Sequence, residues 1–401
     1  MPFAAVFFLA RQAGGDSSCG GMPARSPELP HLAELDGVRG CAIALVLLWH
    51  YAAEQIHAPL QSAAGRVAQV LGLCWSGVDL FFVLSGFLIA GILLDHRGAE
   101  NYFQVFYIRR VCRIFPLYFL LLGLFVVLAW VGVGEDARFR TLFAEPMPLW
   151  SYAGFVQNFF MGARETYGAQ WLGVTWSLAV EEQFYLVLPL VIFLVPPRWL
   201  PASLLAAVLC APLLRGVTGG LTSLVGMPWR ADALLAGALL AWAVRLPGFV
   251  EKAARQRAAL WMVFAVLLAG AALLTWKRHA LGVFDHTWLA ALYALFILLA
   301  LISRGGGLAV GLRWGPLAGL GRISYGVYMF HQPVSGLLHG WLRGAEPALA
   351  DAHAASVTLL ALGATLLASV ASYYLLELPF FRYGHTFRYA PAGAAERLIT
   401  K

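Results

Sequence analysis

The chain has 401 residues, 60% of them hydrophobic and only 12% charged, with a mean hydropathy of +0.73. A water-soluble protein of this length needs far more polar surface, so the composition excludes that class and selects an integral membrane protein. The net charge of +7 comes without a long basic tract, so it reads as membrane topology rather than nucleic-acid binding.

The chain opens on "MPFAAVFFLA", an apolar run with no preceding basic residue and too short to span a bilayer. The Gly/Ser/Pro-rich stretch that follows predicts disorder over residues 1–30, with Met22 as an alternative start. Apolar segments of spanning length then recur, predicting an all-α polytopic domain over 31–381 and a tail over 382–401. About ten helices are expected, near 38–57, 73–94, 114–134, 173–195, 199–215, 229–246, 258–276, 287–303, 316–340 and 354–376. The segment "MPLWSYAGFVQNFFMG", 147–162, is short and broken by glycine, and reads as a re-entrant or interfacial segment or as an eleventh span. With both termini on the cytoplasmic side, most of the 28 Lys and Arg residues fall on inner segments, which orients the chain as a multi-pass membrane protein with both ends inside. Cys19, Cys41, Cys74, Cys112 and Cys210 lack metal-ligand spacing, so neither a disulfide framework nor a metal site is expected.

Five constellations interrupt the apolar pattern. In "LDGVRGCAIALVLLWHY", Arg39 and His50 lie three helical turns and about 20° apart, on one stripe, with a rise of about 16 Å. That places His50 near mid-bilayer if Arg39 is at the inner surface; Asp36, Glu54 and His57 fall close to the same line. Ionisable groups on one stripe of an apolar helix face a protein interior or a water-filled passage. In "GVDLFFVLSGFLIA", Ser85-Gly86 reads as a close helix contact, and Asp79 as an outer-interface residue or an acceptor contact. In "FYIRRVCRIFPLYF", Arg109, Arg110 and Arg113 sit within one turn, just before the third apolar run. Their guanidinium forks match phosphate oxygens, whether of a phosphorylated cofactor or of lipid headgroups, and simple inner-face anchoring stays open.

In "TWSLAVEEQFYLVLPL", Glu181 and Glu182 point about 100° apart, so one of them is expected to face the interior with Ser177 and Tyr185. Beside His50 such a carboxylate orients the imidazole or shares its proton; an inter-helix ion pair is the other reading. Trp176 precedes this pair near the expected outer face. In "GRISYGVYMFHQPV", Ser324, Tyr328 and His331 form a stripe that reads either as a surface for a hydroxylated substrate or as polar glue between helices. Arg230 and Asp232 of "PWRADALLAGALLA" read as a local ion pair.

Taken in order, these motifs resemble the acyltransferase 3 family of bacterial membrane O-acyltransferases, from about Leu35 to Pro379. The resemblance rests on Arg39 and His50, then "GVDLFFVLSGFLI", "RRVCRIFPLY", "TWSLAVEEQFY", "RADALLAGALLA" and "SYGVYMFHQP". It implies a ten-helix domain that moves an acyl group, usually acetyl, from acyl-coenzyme A to a hydroxyl of a carbohydrate or glycosylated acceptor of the cell envelope. It carries Arg39 and His50 over as the catalytic pair and Glu181 as the more constant carboxylate. Arg109, Arg110 and Arg113 match the arginines that hold the coenzyme. Tyr328, His331, Ser324, Asp79 and Trp176 are the candidate acceptor contacts. Some members append a periplasmic hydrolase-like domain; this sequence stops soon after Pro379, so a second transfer step is expected to need a partner. His50 acts either as general base or as acyl carrier. The rival class is a transporter or flippase for a glycan or lipid-linked sugar, which predicts related halves with matching broken helices.

Overall fold

The computed structural model describes residues 33–277, 280–303 and 305–391; the segment expected to be disordered, 1–30, and most of the 382–401 tail lie outside them. Among the described residues there is no strand, and ten long helices carry the fold. They are α1 (Ala33–Leu48), α2 (Gly77–Asp95), α3 (Tyr102–Trp130), α4 (Thr175–Leu194), α5 (Leu200–Thr218), α6 (Met227–Ala243), α7 (Arg257–Trp276), α8 (Asp285–Ile302), α9 (Ser324–Arg343) and α10 (Ala352–Ser372). Nine of the ten lie in stretches long and apolar enough to cross a membrane; α9, laden with His331, Gln332 and His339, is the exception. The protein is an all-α polytopic membrane protein.

Several boundaries depart from the sequence reading. Helix α3 starts at Tyr102, so Arg109, Arg110 and Arg113 lie within its first turns rather than ahead of it. The 316–340 helix is two pieces, Gly315–Arg322 and α9, meeting at Ile323. The 147–162 segment is not an eleventh span: it forms two short helices, Leu149–Ala153 and Gln157–Arg164. Its amides are spent on the bundle, with the Gln157 side chain donating to the Thr175 carbonyl (2.9 Å) and Asn158 to that of Val225 (3.0 Å). Asp351 caps α10 by accepting from the Ala354 N–H at 2.7 Å, and that bond holds its carboxyl below the usual carboxylate range.

One end of the bundle gathers the segments expected to be cytoplasmic. There Arg313 pairs with Glu34, Arg245 with Asp95 (2.6 Å), and Arg97 donates to the Val195 carbonyl (2.8 Å). Each end exposes tryptophans, Trp199 and Trp314 at the basic end and Trp130, Trp150, Trp276 and Trp341 at the other, the residue type that anchors membrane proteins at the lipid–water interface. Helix α7 buries only Ala271 and Leu274, rests Leu260, Phe264 and Leu267 against the core and exposes its other face, as a lipid-facing helix does.

Helices α2 and α6 form the centre. A Cβ added to Gly86 would lie 1.8 Å from the Leu234 carbonyl oxygen, and one added to Gly237 1.9 Å from that of Val83. Close backbone approach through small residues is how membrane helices gain packing without a hydrophobic drive between them, so the reading of Gly86 as a close helix contact holds. Gly86→Leu is expected to push α2 from α6. The measurement is the thermal midpoint in detergent, which should fall by several degrees, whereas Gly123→Leu, with no neighbour near its Cβ position, should leave it unchanged.

Candidate active site

Helix α1 ends in a turn of π-helix, Trp49–Ala53, closed by the Glu54 N–H donating to the Trp49 carbonyl at 2.9 Å. Single π turns inside helices cluster at functional sites. This one brings Glu54 over His50: the imidazole Nδ1 lies 2.6 Å from the Glu54 carboxylate and 3.2 Å from the Gln332 amide nitrogen. A carboxylate has no proton to give, so the shorter contact assigns the Nδ1 proton to His50 as donor and leaves Nε2 as the base. The Gln55 amide donates to the His50 carbonyl (2.9 Å), and the Tyr51 hydroxyl donates to the His331 carbonyl (2.7 Å). The rings of His50 and His331 stand 4.9 Å apart. His331 is fully buried, and its Nε2 has no hydrogen-bond partner.

These groups border a cavity of about 190 Å³, lined also by His57, Gln170, Ser335 and Glu346. The His50 side chain keeps 20% of its surface exposed and Glu54 53%, so solvent reaches the pair from the end opposite the basic one. His50 is in the last turns of α1, yet its neighbour His331 lies seven residues into α9 and Thr365, bonded to Tyr51, is thirteen into α10. At 1.5 Å per residue those positions are about 10 and 20 Å from the helix starts, so the imidazole is deep in the bundle.

The partner expected for His50 is not the one found. Glu181 faces the hydroxyls of Ser85 and Tyr185, which bond each other at 2.5 Å, with Arg110 and Arg39 as its nearest cations. Glu182 turns inward as well, toward Arg110, so both carboxylates face the interior rather than one. The expectation counted about 100° between their Cβ directions, whereas Arg110 of α3 lies within Coulombic reach of both carboxylates. Glu54 is the residue that accepts the hydrogen bond of the imidazole Nδ1–H, and its i,i+4 spacing to His50 is a signal the sequence carried.

Arg39, Arg110 and Arg113 converge, each within Coulombic reach of the other two. Arg39 is balanced by Asp36 at 3.2 Å, and Arg113 lies over the Phe381 ring at 5.4 Å. Arg109 does not join them. It turns to the C-terminal segment, where its guanidinium donates to the Phe387 carbonyl (2.8 Å). Three buried polar atoms near this cluster have no hydrogen-bond partner: Arg110 Nε, Glu182 Oε1 and the Tyr389 hydroxyl. Like-charged guanidinium groups with orphaned polar atoms beside them suit an anionic ligand such as a phosphate. Among the described residues no group of His, Cys, Asp and Glu has the arrangement of a metal site.

The remaining candidates divide. His331 borders the His50 cavity, whereas Tyr328 exchanges a 2.7 Å hydrogen bond with Ser177, and Ser324 is buried at the start of α9. Asp79 and Trp176 belong to another cluster. Asp79 is fully buried and pairs with Arg230 (2.7 Å) and His286 (3.3 Å); Trp176 and Phe82 flank the Arg230 guanidinium. Arg230 and Asp232 are therefore not a local pair. Asp232 binds Arg215 from α5 (2.8 Å) and Thr287 from α8 (2.6 Å), so α2, α5, α6 and α8 are knotted by two adjacent ion pairs. Sequence reasoning also missed Gln332, Gln170 and Glu346; Gln170 opens the four-residue helix Gln170–Gly173 and Glu346 lies in a loop, so neither carries a periodic signal.

The acyltransferase 3 family model, described as an acyltransferase domain, matches residues 32–374. The chain is 24% identical over 379 residues to the O-acetyltransferase OatA of Staphylococcus aureus, covering 88% of this chain and 58% of that one. It is 27% identical over 383 residues to the peptidoglycan O-acetyltransferase OatA of Listeria monocytogenes, covering 88% and 56%. A third relative, YrhL of Bacillus subtilis, is named provisionally as a peptidoglycan O-acetyltransferase and is 28% identical over 339 residues, 76% of this chain and 48% of its own. The chain thus spans about half the length of the curated relatives it matches. No solved structure matches it. The bundle, its ordered motifs and a family match over most of its length lead to one conclusion: the chain belongs to the acyltransferase 3 family.

Proposed function

We propose that the protein transfers an acyl group, usually acetyl, from acyl-coenzyme A to a hydroxyl of a cell-envelope carbohydrate. The reading has Arg39, Arg110 and Arg113 hold the phosphates of the donor at the basic, cytoplasmic end. Bound acyl-coenzyme A supplies the activated thioester. His50, with its Nδ1 proton held by Glu54, takes the proton of the acceptor hydroxyl at Nε2 as the acceptor oxygen bonds the acyl carbon, and returns it to the thiolate that leaves as the carbon–sulfur bond breaks. The acceptor enters from the opposite end, through the cavity that His50, His331 and Gln332 border. The single observation that carries this is the His50–Glu54 pair facing a solvated cavity, in a bundle whose other end gathers arginines. The names of the relatives favour a peptidoglycan-type acceptor. A transporter is disfavoured because an imidazole fixed by a carboxylate in one tautomer serves proton transfer and is not needed to pass a glycan.

The test is mass spectrometry of cell-wall glycans from cells with and without the gene, alongside turnover of labelled acetyl-coenzyme A by the purified protein. Loss of one acyl mass from a glycan on deletion, with label transfer in vitro, is expected; unchanged glycans and no transfer would reject the reading. Arg110→Ala is expected to weaken coenzyme A binding about 10–100-fold, the worth of a charge-assisted contact to phosphate. Titration calorimetry in detergent reads this directly, and Arg109→Ala, whose guanidinium is spent on the Phe387 carbonyl, should change it far less.

A further inference from the structure

Beyond the His50 cavity lies a second one of about 320 Å³, lined by Thr141, Glu145, Thr166 and Gly168. Gln170 and Glu346 line both, so the two cavities are neighbours across one pair of side chains. Together they make a groove that runs from the loop surface to the imidazole, of a size that suits more than one sugar ring. Its polar groups are amides, hydroxyls and carboxylates: Gln170 and Gln332, Thr141 and Thr166, and Glu145, Glu346 and Glu54. No Lys or Arg is among the described residues that line either cavity. Of the nearby cations, Arg138 is spent on Asp136 (2.6 Å) and Arg343 on the Ala348 carbonyl (3.3 Å), and neither Arg140 nor Arg164 lines either cavity. At the inner end of the groove His331, wholly buried, has an Nε2 with no hydrogen-bond partner. An unspent polar atom of a residue in a cavity wall marks a place where a ligand's hydroxyl or amide completes the bonding.

We infer that this groove is the acceptor subsite and that its carboxylates select uncharged or amino-bearing glycans against anionic ones. The inference rests on the proposed function and specifies the substrate class that site takes. A uronate or phosphate-bearing chain would bring negative charge beside Glu145 and Glu346 with no cation in the wall to receive it, and like charges brought together cost binding. A neutral sugar pairs its hydroxyls with the amides and carboxylates, and an ammonium on the sugar gains a charge-assisted bond. Glu145 and Glu346 are exposed, so the discrimination is screened by salt and is greatest at low ionic strength.

The test reads binding and not turnover, on the full chain in detergent. Three tetramers of one length are titrated by microscale thermophoresis in low salt: N-acetylglucosamine (uncharged), glucosamine (cationic) and galacturonic acid (anionic). The wild type is expected to bind the first two at least tenfold tighter than the third. Glu145→Gln with Glu346→Gln, both at exposed positions, should shrink that ratio threefold or more, and Glu346→Lys should shrink it further while the thermal midpoint stays put. Equal or tighter binding of the galacturonate, binding of none of the three, or an unchanged ratio in folded variants would overturn the inference. Selective binding without acetyl transfer would leave the groove standing and reject the proposed function. Transfer without charge selectivity would do the reverse.

Discussion

His50→Ala is expected to lower acyl transfer by about 10²–10⁴-fold, the contribution of a positioned general base, while the protein keeps its thermal midpoint. The imidazole borders a cavity and is partly exposed, so removing it opens little of the core. Glu54→Gln should fall between wild type and His50→Ala: the amide oxygen still accepts the Nδ1 proton, but the negative charge that steadies an imidazolium is gone. The measurement is transfer of label from acetyl-coenzyme A to a glycan tetramer in a single turnover. An acid quench without acceptor separates the two roles open to His50. Label retained on the wild-type polypeptide and absent from His50→Ala identifies an acyl carrier; no retained label identifies a base. Full activity in a folded alanine variant would remove His50 from the chemistry.

The second large effect is on stability. Arg230→Met leaves Asp79 buried as a lone carboxylate beside His286, and losing one partner of a buried pair costs about 3–5 kcal/mol. Asp79→Leu strands the guanidinium between Phe82 and Trp176 at a similar cost. The double variant should recover much of the loss, because an apolar pair of similar size replaces both charges together. The readout is the denaturant midpoint in detergent for the two single variants and the double. If the double is as unstable as the sum of the singles, the two residues are not coupled and the pair is incidental. The same series separates structure from acceptor contact. A binding role would alter glycan affinity in the double variant, whereas a purely structural role would restore it with the fold.

Much of the architecture was legible in the sequence because lipid imposes a simple rule: every span must be helical and long. Even the polar stripe of α1 and the glycine contact of α2 with α6 were open to residue spacing, since both depend on helical geometry alone. What spacing could not give was partnership across helices. Arg230 and Asp232 look like a local pair in one dimension but bind Asp79 and Arg215 in three. Glu181 was matched to the imidazole by chemistry, whereas the fold aims it at Arg110 and Arg39. Glu54 was legible as a member of the stripe. A π turn, which no propensity announces, is what sets its carboxylate against the ring. Arg109 shows the same limit: three consecutive-looking arginines diverge because α3 faces the interior on one side and the C-terminal segment on the other.

The early end of α1 has a consequence for proton traffic. Because the first helix stops at Ala53 and leaves Glu54 wetted, the imidazole is open to the bath opposite the arginine-rich end, while each proton it lifts from an alcohol is handed on to the departing thiolate. In sealed proteoliposomes turnover would then change the acidity of neither bath, which a trapped pH dye would read.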